Sequence, residues 1–254
     1  MNFRPIGIFD SGLGGLTIWS AIKERLPHES LLYLGDGLHC PYGLRSDDEV
    51  CAYTLRAAEE LLSKGCKMIV VACNTATNAA IEHLRERYPS VPIVGMEPAI
   101  KPACERSQSG VVGVIATKRT LEGAMFQQTS KRYGVGVQIL AFEGRQFVEI
   151  VERDMEQTHQ AKELVREVVM PIVESGADYI VLGCTHYPFL RGAIEAVAPG
   201  VQVIDSAPAV ARQVERRLKE CGLLYVGEQT PSYYFLSFAD DEYCERIIAK
   251  SRRI

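Results

Sequence analysis

The chain has 254 residues, of which 47% are hydrophobic and 24% are charged, and its formal net charge is −4. This composition is typical of a globular protein, and the length fits two domains of about 100 to 150 residues each. The chain lacks the basic character of most nucleic-acid-binding proteins, and no apolar run approaches the ~20 residues of a membrane-spanning helix. Residues 1–5 show no secretory signal pattern. We therefore expect a cytoplasmic protein with neither nucleic acid nor membrane as a partner.

The first 96 residues alternate between short apolar runs rich in β-branched residues and longer amphipathic patterns. The predicted strands are 6–9, 31–34, 68–72 and 92–95, and the predicted helices are 14–26, 47–63 and about 75–88. Residues 97–102 carry two prolines around a single turn of helix, which indicates a crossing into a second domain.

The alternation starts again after residue 110. The predicted strands are 111–115, 137–141, 179–182 and 201–204, and helices are predicted after residue 120, over 146–154 and over 160–175, the last without a strong N-cap. A helix to about residue 219, a strand over 233–238 and a helix over 240–249 should return to the first domain. We predict an α/β fold of two similar lobes, 1–96 with 208–254 and 97–207. Each lobe would contain a mainly parallel sheet flanked by helices. The two lobes would be related by pseudo-twofold symmetry, with the active site in the cleft between them.

Two cysteines stand in nearly the same local sequence. Cys73 follows the apolar run 68–72, Cys184 follows 179–183, and each precedes small polar residues that begin a helical pattern. Open α/β sheets bind ligands at the carboxyl ends of their parallel strands, so both thiols should lie at such an edge. Two thiols supplied by two similar units could flank one small molecule and move a proton across it.

A buried cysteine is more often a small apolar residue than a reactive one. The pair favours a reactive role because each thiol precedes a predicted helix, whose positive dipole end stabilises a thiolate. The remaining cysteines lack this setting and are predicted to be structural: Cys40, Cys51, Cys66, Cys104, Cys221 and Cys244. No cysteine spacing fits a zinc site, so we predict no metal.

Four further features have both structural and functional interpretations. Asp10, in a glycine-rich loop, could bind an ammonium group or orient a base, or could cap a turn. The sequence at 41–43 indicates a turn that could line the same site. His186 could act as acid, base or hydrogen-bond partner of Cys184, whereas a solvated surface acid is the default interpretation of Glu152.

Five ordered motifs resemble those of the glutamate racemases, which belong to the cofactor-independent aspartate/glutamate racemase superfamily. They are IFDSGLGG at 8–15, PYG at 41–43, ACNTAT at 72–77, EPAIKPA at 97–103 and LGCTHYP at 182–188. The Cys-Asn-Thr and Gly-Cys-Thr-His pair is the most specific of them.

The resemblance implies interconversion of L- and D-glutamate, supplying D-glutamate for peptidoglycan, and a homodimer. It implies that Cys73 takes the α-proton from D-glutamate and Cys184 from L-glutamate, on opposite faces of the α-carbon. Asp10 would assist Cys73, and His186 with Glu152 would assist Cys184. The implied substrate-binding residues are Asp10, Ser11, Pro41, Tyr42, Gly43, Asn74, Thr75, Thr117, Thr120, Thr185 and His186.

The chemistry suits two cysteines without a cofactor. A thiol with a reference pKa of about 8.5 can act as base on one side of a substrate and as acid on the other. Pyridoxal phosphate would need a Schiff-base lysine, and Lys118 is the single lysine in the predicted site loops. We therefore predict no cofactor.

The chain departs from the family pattern at Leu38, His39 and Cys40, before the PYG motif, and at Arg119. These differences bear on substrate affinity and loop closure rather than on the chemistry. Two alternatives remain: a racemase of the same superfamily acting on aspartate or several amino acids, and a protein without two-base chemistry. The latter would be a single-cysteine amidase-type or acyl-transfer enzyme, or a binding protein, and would not require Cys73.

Overall fold

The computed structural model describes residues 3–254, which form two compact units. The first unit ends at Met96 and resumes with Ala207–Ile254, and the second is Glu97–Ser206. Each contains a parallel sheet flanked by helices, so the predicted α/β class is confirmed. We expected the chain to return to the first lobe at residue 208. Ala207 already belongs to the first unit, because it is the first residue of a helix there.

The elements are numbered in chain order over the described residues. The strands are β1 (Ile6–Asp10), β2 (Leu31–Gly35), β3 (Met68–Val71), β4 (Ile93–Val94), β5 (Val111–Ala116), β6 (Gln138–Glu143), β7 (Tyr179–Leu182), β8 (Gln202–Asp205) and β9 (Tyr233–Ser237). The helices are α1 (Leu16–Arg25), α2 (Asp47–Ser63), α3 (Asn74–Arg87), α4 (Ile100–Arg106), α5 (Lys118–Glu122), α6 (Ala124–Tyr133), α7 (Phe147–Glu152), α8 (His159–Glu174), α9 (Arg191–Val197), α10 (Ala207–Glu220) and α11 (Asp241–Ser251). Two 3-10 turns cover Tyr42–Leu44 and Tyr187–Leu190. Within residues 3–254, no helix combines the length and apolarity needed to cross a membrane.

Both sheets have their first strands at the centre. The strand order is β4-β3-β1-β2-β9 in the first unit and β6-β5-β7-β8 in the second. All residues of β1, β2 and β3 are buried, as expected for parallel strands covered by helices on both faces. The last strand, β9, pairs with β2 in register from Leu31 and Tyr233 onward. The C-terminal segment therefore completes the first sheet.

Three helical predictions outside the cysteine motifs differ from the structure. Residues 97–102 were expected to contain only a turn of helix, but α4 continues to Arg106, because Pro102 lies in its first turn, where a missing N–H costs no hydrogen bond. The single helix expected after residue 120 is two helices, divided at Gly123. The helix expected without a strong cap has one, since the side chain of Thr158 accepts the N–H of Ala161 at the start of α8.

A buried ion pair joins distant parts of the first unit. Lys67 Nζ lies 2.6 Å from Glu29 Oε2, and their side chains are 0% and 2% exposed. The second oxygen, Glu29 Oε1, accepts the backbone N–H of Tyr225 at 2.8 Å. These contacts therefore connect three segments: the residue before β3, the connection between α1 and β2, and the segment before β9.

We expect Lys67→Met to lower the free energy of unfolding by about 3–5 kcal/mol, because Glu29 would stay buried without its counter-charge. Urea unfolding followed by the fluorescence of Trp19, the single tryptophan, measures this effect in the first unit. Arg85→Met is the control, since Arg85 pairs with Glu82 at the surface and its loss should cost less than about 1 kcal/mol. Equal losses in the two variants would contradict a special role for the buried pair.

Candidate active site

Three polar side chains lie at the same edge of the first sheet. β1 ends at Asp10, Asp36 directly follows β2, and Cys73 lies two residues beyond the end of β3. These strands are parallel neighbours, so their carboxyl ends share one edge, where α/β proteins bind ligands. Asp10 and Asp36 are 0% exposed and Cys73 is 6% exposed. The edge thus gathers two buried acids and a thiol.

Cys73 stands at the start of a helix, as predicted. Its side chain caps α3, with Sγ accepting the backbone N–H of Ala76 at 3.4 Å. Sγ also lies 3.8 Å from Ser11 Oγ. A backbone donor and the positive end of a helix dipole both stabilise a thiolate relative to the thiol. The surroundings of Cys73 therefore suit a base.

Asp10 closes the turn that follows β1. Its Oδ1 accepts the N–H of Gly12 at 2.9 Å. A Cβ placed on Gly15 would lie 2.5 Å from Asp10 Cβ, so the loop passes too close to the acid to carry a side chain there. Asp10 therefore forms a turn, and its carboxyl group is buried at the same edge of the sheet.

Asp36 also lies at this edge, although none of the sequence motifs singles it out. Tyr42 Oη donates to Asp36 Oδ2 at 2.6 Å, and His39 Nδ1 lies 2.9 Å from the same oxygen. Burial, the charge of Asp36 and its hydrogen bond raise the pKa of Tyr42 well above the ordinary value, and the charges of Cys73 and Asp10 raise it further. Tyr42 is therefore a neutral phenol at this edge. The signal in the sequence was an acid at the carboxyl end of a buried strand, where Asp10 also lies.

The loop before α2 supports the ring of Tyr42. A cis peptide bond precedes Pro41, and the following 3-10 turn directs the tyrosine inward, with its ring centre 6.2 Å from that of Phe9. Pro41 and Gly43 are half-buried beside it. Of the unusual residues in this loop, His39 stacks on Tyr53 at 3.9 Å, whereas Leu38 is exposed.

Asn74 is buried without a hydrogen-bond partner. Neither its Nδ2 nor its Oδ1 finds one among residues 3–254, although the residue is only 6% exposed. Buried amides are nearly always hydrogen-bonded, so an unpartnered one next to Cys73 suits a ligand that supplies the missing contacts. Its neighbour Thr75 is also buried.

The second unit repeats the strand-end arrangement. Thr117 directly follows β5, and Gly183 and Cys184 follow the adjacent parallel strand β7. A Cβ on Gly183 would lie 2.8 Å from Ala116 Cβ, so no side chain fits between the two strand ends. Cys184 is 8% exposed. Its thiol is therefore presented at a strand end, as predicted.

Cys184 does not begin an α-helix, so that expectation is wrong. The N–H of Tyr187 donates to the carbonyl of Cys184 at 3.2 Å, and the N–H of Phe189 donates to that of His186 at 3.1 Å, which are 3-10 bonds. Pro188 has no N–H to donate to Cys184 in an α-helical pattern, and the α-helix starts only at Arg191. The Cys184 thiol is therefore not at the N-terminus of an α-helix.

A histidine and a glutamate lie beside the Cys184 thiol, where Cys73 has a helix N-terminus. His186 Nδ1 lies 3.8 Å from Cys184 Sγ, and His186 Nε2 lies 2.6 Å from Glu152 Oε1. A carboxylate on one ring nitrogen orients the imidazole and stabilises its protonated form, which in turn stabilises a thiolate at the other nitrogen. The solvated-acid interpretation of Glu152 is wrong: it is the last residue of α7 and contacts the buried histidine.

The predicted threonines of the second unit lie in two groups. Thr117 caps α5 by accepting the N–H of Thr120 at 3.3 Å, and their hydroxyl oxygens are 3.0 Å apart. Thr185 follows Cys184 directly. Thr120 and Thr185 are 4% exposed, and the unusual Arg119 is half-buried on α5. Hydroxyl groups at a strand-end edge can donate to carboxylates.

The arrangement in each unit is a thiol with its own means of charge stabilisation. In the first unit it is a helix N-terminus with a backbone N–H donor, and in the second a histidine held by a glutamate. Both can lower the free energy of a thiolate, the form that acts as base or nucleophile. Each unit can therefore accept or donate a proton at sulfur.

Comparison with known proteins identifies the family. The sequence profile of the Asp/Glu/hydantoin racemases matches residues 17–214. The chain belongs to this family. The glutamate racemase of Herpetosiphon aurantiacus is 44% identical over 248 residues, which are 97% of each chain.

Solved structures of this racemase family share the fold. A glutamate racemase isoform from Bacillus anthracis is 31% identical with a TM-score of 0.89, covering 100% of this chain and 96% of that one. The Escherichia coli glutamate racemase, crystallised with L-glutamate and the activator UDP-MurNAc-ala, is 28% identical with a TM-score of 0.88, covering 98% and 95%. The resemblance drawn from the five motifs and the predicted enzyme class, an amino-acid racemase, are confirmed.

We expect Asn74→Ala to change the free energy of unfolding by less than about 1 kcal/mol, because the free protein loses no hydrogen bond. Thr77→Ala, on the same helix, is the control: its hydroxyl donates to the Val71 carbonyl and accepts the Met96 N–H. That variant should lose about 2 kcal/mol. Urea unfolding measures both, and a larger loss for Asn74→Ala would show that the amide serves the fold.

Proposed function

We propose that this protein interconverts L- and D-glutamate by moving the α-proton between two cysteines, without a cofactor. The observation that carries the proposal is the recurrence of a buried thiol with charge-stabilising partners at a strand end in both units. The 44% identity to a glutamate racemase over nearly the whole chain supports the substrate. The D-glutamate formed would serve peptidoglycan synthesis.

Each direction of the reaction uses the thiols in opposite roles. From D-glutamate, the Cys73 thiolate takes the α-proton and the Cys184 thiol gives one to the other face of the α-carbon. From L-glutamate, the roles exchange. After either turnover the proton has moved from one sulfur to the other, so the two thiols exchange protons with solvent before the same direction can run again. A racemase needs this near symmetry because its two products have equal free energy.

The carbanion formed beside a carboxylate is the high-energy species that the site must stabilise. Preorganised donors in a water-poor site do this more effectively than water. We propose that the substrate carboxylates are bound by hydroxyl and amide groups at the two strand edges and the ammonium group by Asp10. The residues that we propose to surround the bound substrate, with Asp10, are Ser11, Pro41, Tyr42, Gly43, Asn74, Thr75, Thr117, Thr120, Thr185 and His186. The unsatisfied amide of Asn74 is the strongest structural support for this assignment.

The partners on each side have distinct tasks in this proposal. Asp10 assists Cys73, while His186 and Glu152 assist Cys184. The 2.6 Å contact between His186 and Glu152 supports the second assignment, because it orients the imidazole next to the sulfur. We further propose a cytoplasmic homodimer, in line with the family resemblance, and sedimentation velocity would measure the oligomeric state.

We expect the purified protein to racemise L-glutamate in D2O with no added cofactor and to place solvent deuterium at the α-carbon. Circular dichroism follows the loss of optical activity of the glutamate, and proton NMR follows the loss of its α-proton signal. Cys73→Ala and Cys184→Ala should each lower the rate by about 1,000-fold or more, because each lacks an acid and a base. Cys66→Ala and Cys104→Ala are the controls, one per unit, since burial raises the pKa of both thiols, that of Cys66 to about 12.

The alternatives give different outcomes in the same assay. Activity on aspartate but not glutamate would assign the protein to a related racemase. Loss of activity in Cys184→Ala but not in Cys73→Ala would overturn the two-base mechanism in favour of a single reactive cysteine. Exchange that requires pyridoxal phosphate would overturn the cofactor-independent mechanism.

A further inference from the structure

A buried tyrosine in the first unit holds the turn that carries Asp10. Tyr33, on β2, is 0% exposed and donates its hydroxyl to the carbonyl of Gly12 at 2.7 Å. The N–H of the same glycine donates to Asp10 Oδ1 at 2.9 Å. A Cβ on Gly15 would lie 3.0 Å from Tyr33 Oη, so the hydroxyl lies close against the turn. The direction of the Asp10 carboxylate therefore depends on Tyr33.

A second buried tyrosine holds a turn in the other unit. Tyr187 directly follows His186 and donates its hydroxyl to the carbonyl of Gly144 at 3.1 Å. That carbonyl also accepts the N–H of Phe147, the first residue of α7, at 3.3 Å. The rings of Tyr187 and Phe147 pack edge to face with centres 5.2 Å apart. Since α7 ends at Glu152, the tyrosine links the turn that carries the histidine to the helix that carries its acid.

The hydroxyl of Tyr187 keeps its proton and therefore remains a hydrogen-bond donor. Burial, followed by the charges of Cys184, Glu149 and Glu143, raises its pKa well above the ordinary value. A Cβ on Gly144 would lie 2.6 Å from Tyr187 Oη, so the loop and the hydroxyl are packed too closely for another residue. The contact is thus a fixed part of the second unit.

We propose that Tyr33 and Tyr187 are positioning residues for opposite halves of the racemisation. Tyr33 orients Asp10 for proton transfer at Cys73, and Tyr187 orients His186 and Glu152 for proton transfer at Cys184. This inference rests on the proposed two-base function. Removing one hydroxyl slows one of the two proton transfers, whereas a general loosening of the fold slows both.

The test compares Tyr33→Phe and Tyr187→Phe, which keep the rings and remove one hydrogen bond each. Primary deuterium isotope effects on kcat/KM are measured with α-deuterated L- and D-glutamate. In Tyr187→Phe, deprotonation of L-glutamate by Cys184 becomes more rate-limiting. The ratio of the L to the D isotope effect should then rise by about 1.5-fold. In Tyr33→Phe the ratio should fall by a similar factor.

In both variants kcat/KM should drop about 10-fold, equally in the two directions because the equilibrium constant is one.

Tyr179→Phe is the matched control. Tyr179 lies on β7, and its hydroxyl has no hydrogen bond within residues 3–254, so its removal should leave the isotope-effect ratio unchanged. Far-UV circular dichroism sets an assay temperature at which every variant is folded. Opposite shifts in the two variants support the proposal. Equal shifts, or none, overturn it, whereas a parent protein that does not racemise glutamate overturns the proposed function instead.

Discussion

Parallel strand pairing is the constraint on which the site depends. Because neighbouring strands in each sheet run the same way, the residues that follow them emerge at one edge, however far apart they are in the chain. In the first unit this brings Asp10, Asp36 and Cys73 together, and in the second Thr117 and Cys184. No loop has to travel far to build the site. Asp10 and the two cysteines therefore lie at or just beyond the ends of strands whose residues are mostly buried.

The two thiols have different electrostatic surroundings despite their similar sequences. Cys73 uses a helix N-terminus, which carries a permanent partial positive charge. Cys184 instead lies 3.8 Å from a nitrogen of His186, whose other ring nitrogen contacts the carboxylate of Glu152. The difference arises from one residue: Pro188 prevents an α-helix from starting at Cys184, and the tighter turn brings the histidine ring towards the sulfur.

The sequence was informative where local chemistry decides the structure. The strand at 179–182 and the helix at 47–63 have the predicted bounds, because an apolar run and a capping box define them. The contact of Glu152 with His186 could not be predicted from the residues, since 34 positions separate them and only packing brings them together. The sequence does place Asp36 after a buried strand, but its contacts with Tyr42 and His39 depend on the conformation of the loop and could not be predicted.

The pairing of β9 with β2 has a consequence for biosynthesis. The second unit is one continuous segment, so all its strands are available once residue 206 has been made. The first unit still lacks its edge strand at that stage, and the N–H that Tyr225 donates to Glu29 is 196 positions from its acceptor. Contacts of such long sequence separation form late, because the loop between them must close first. On the ribosome, the middle of this chain therefore completes its fold before its beginning does.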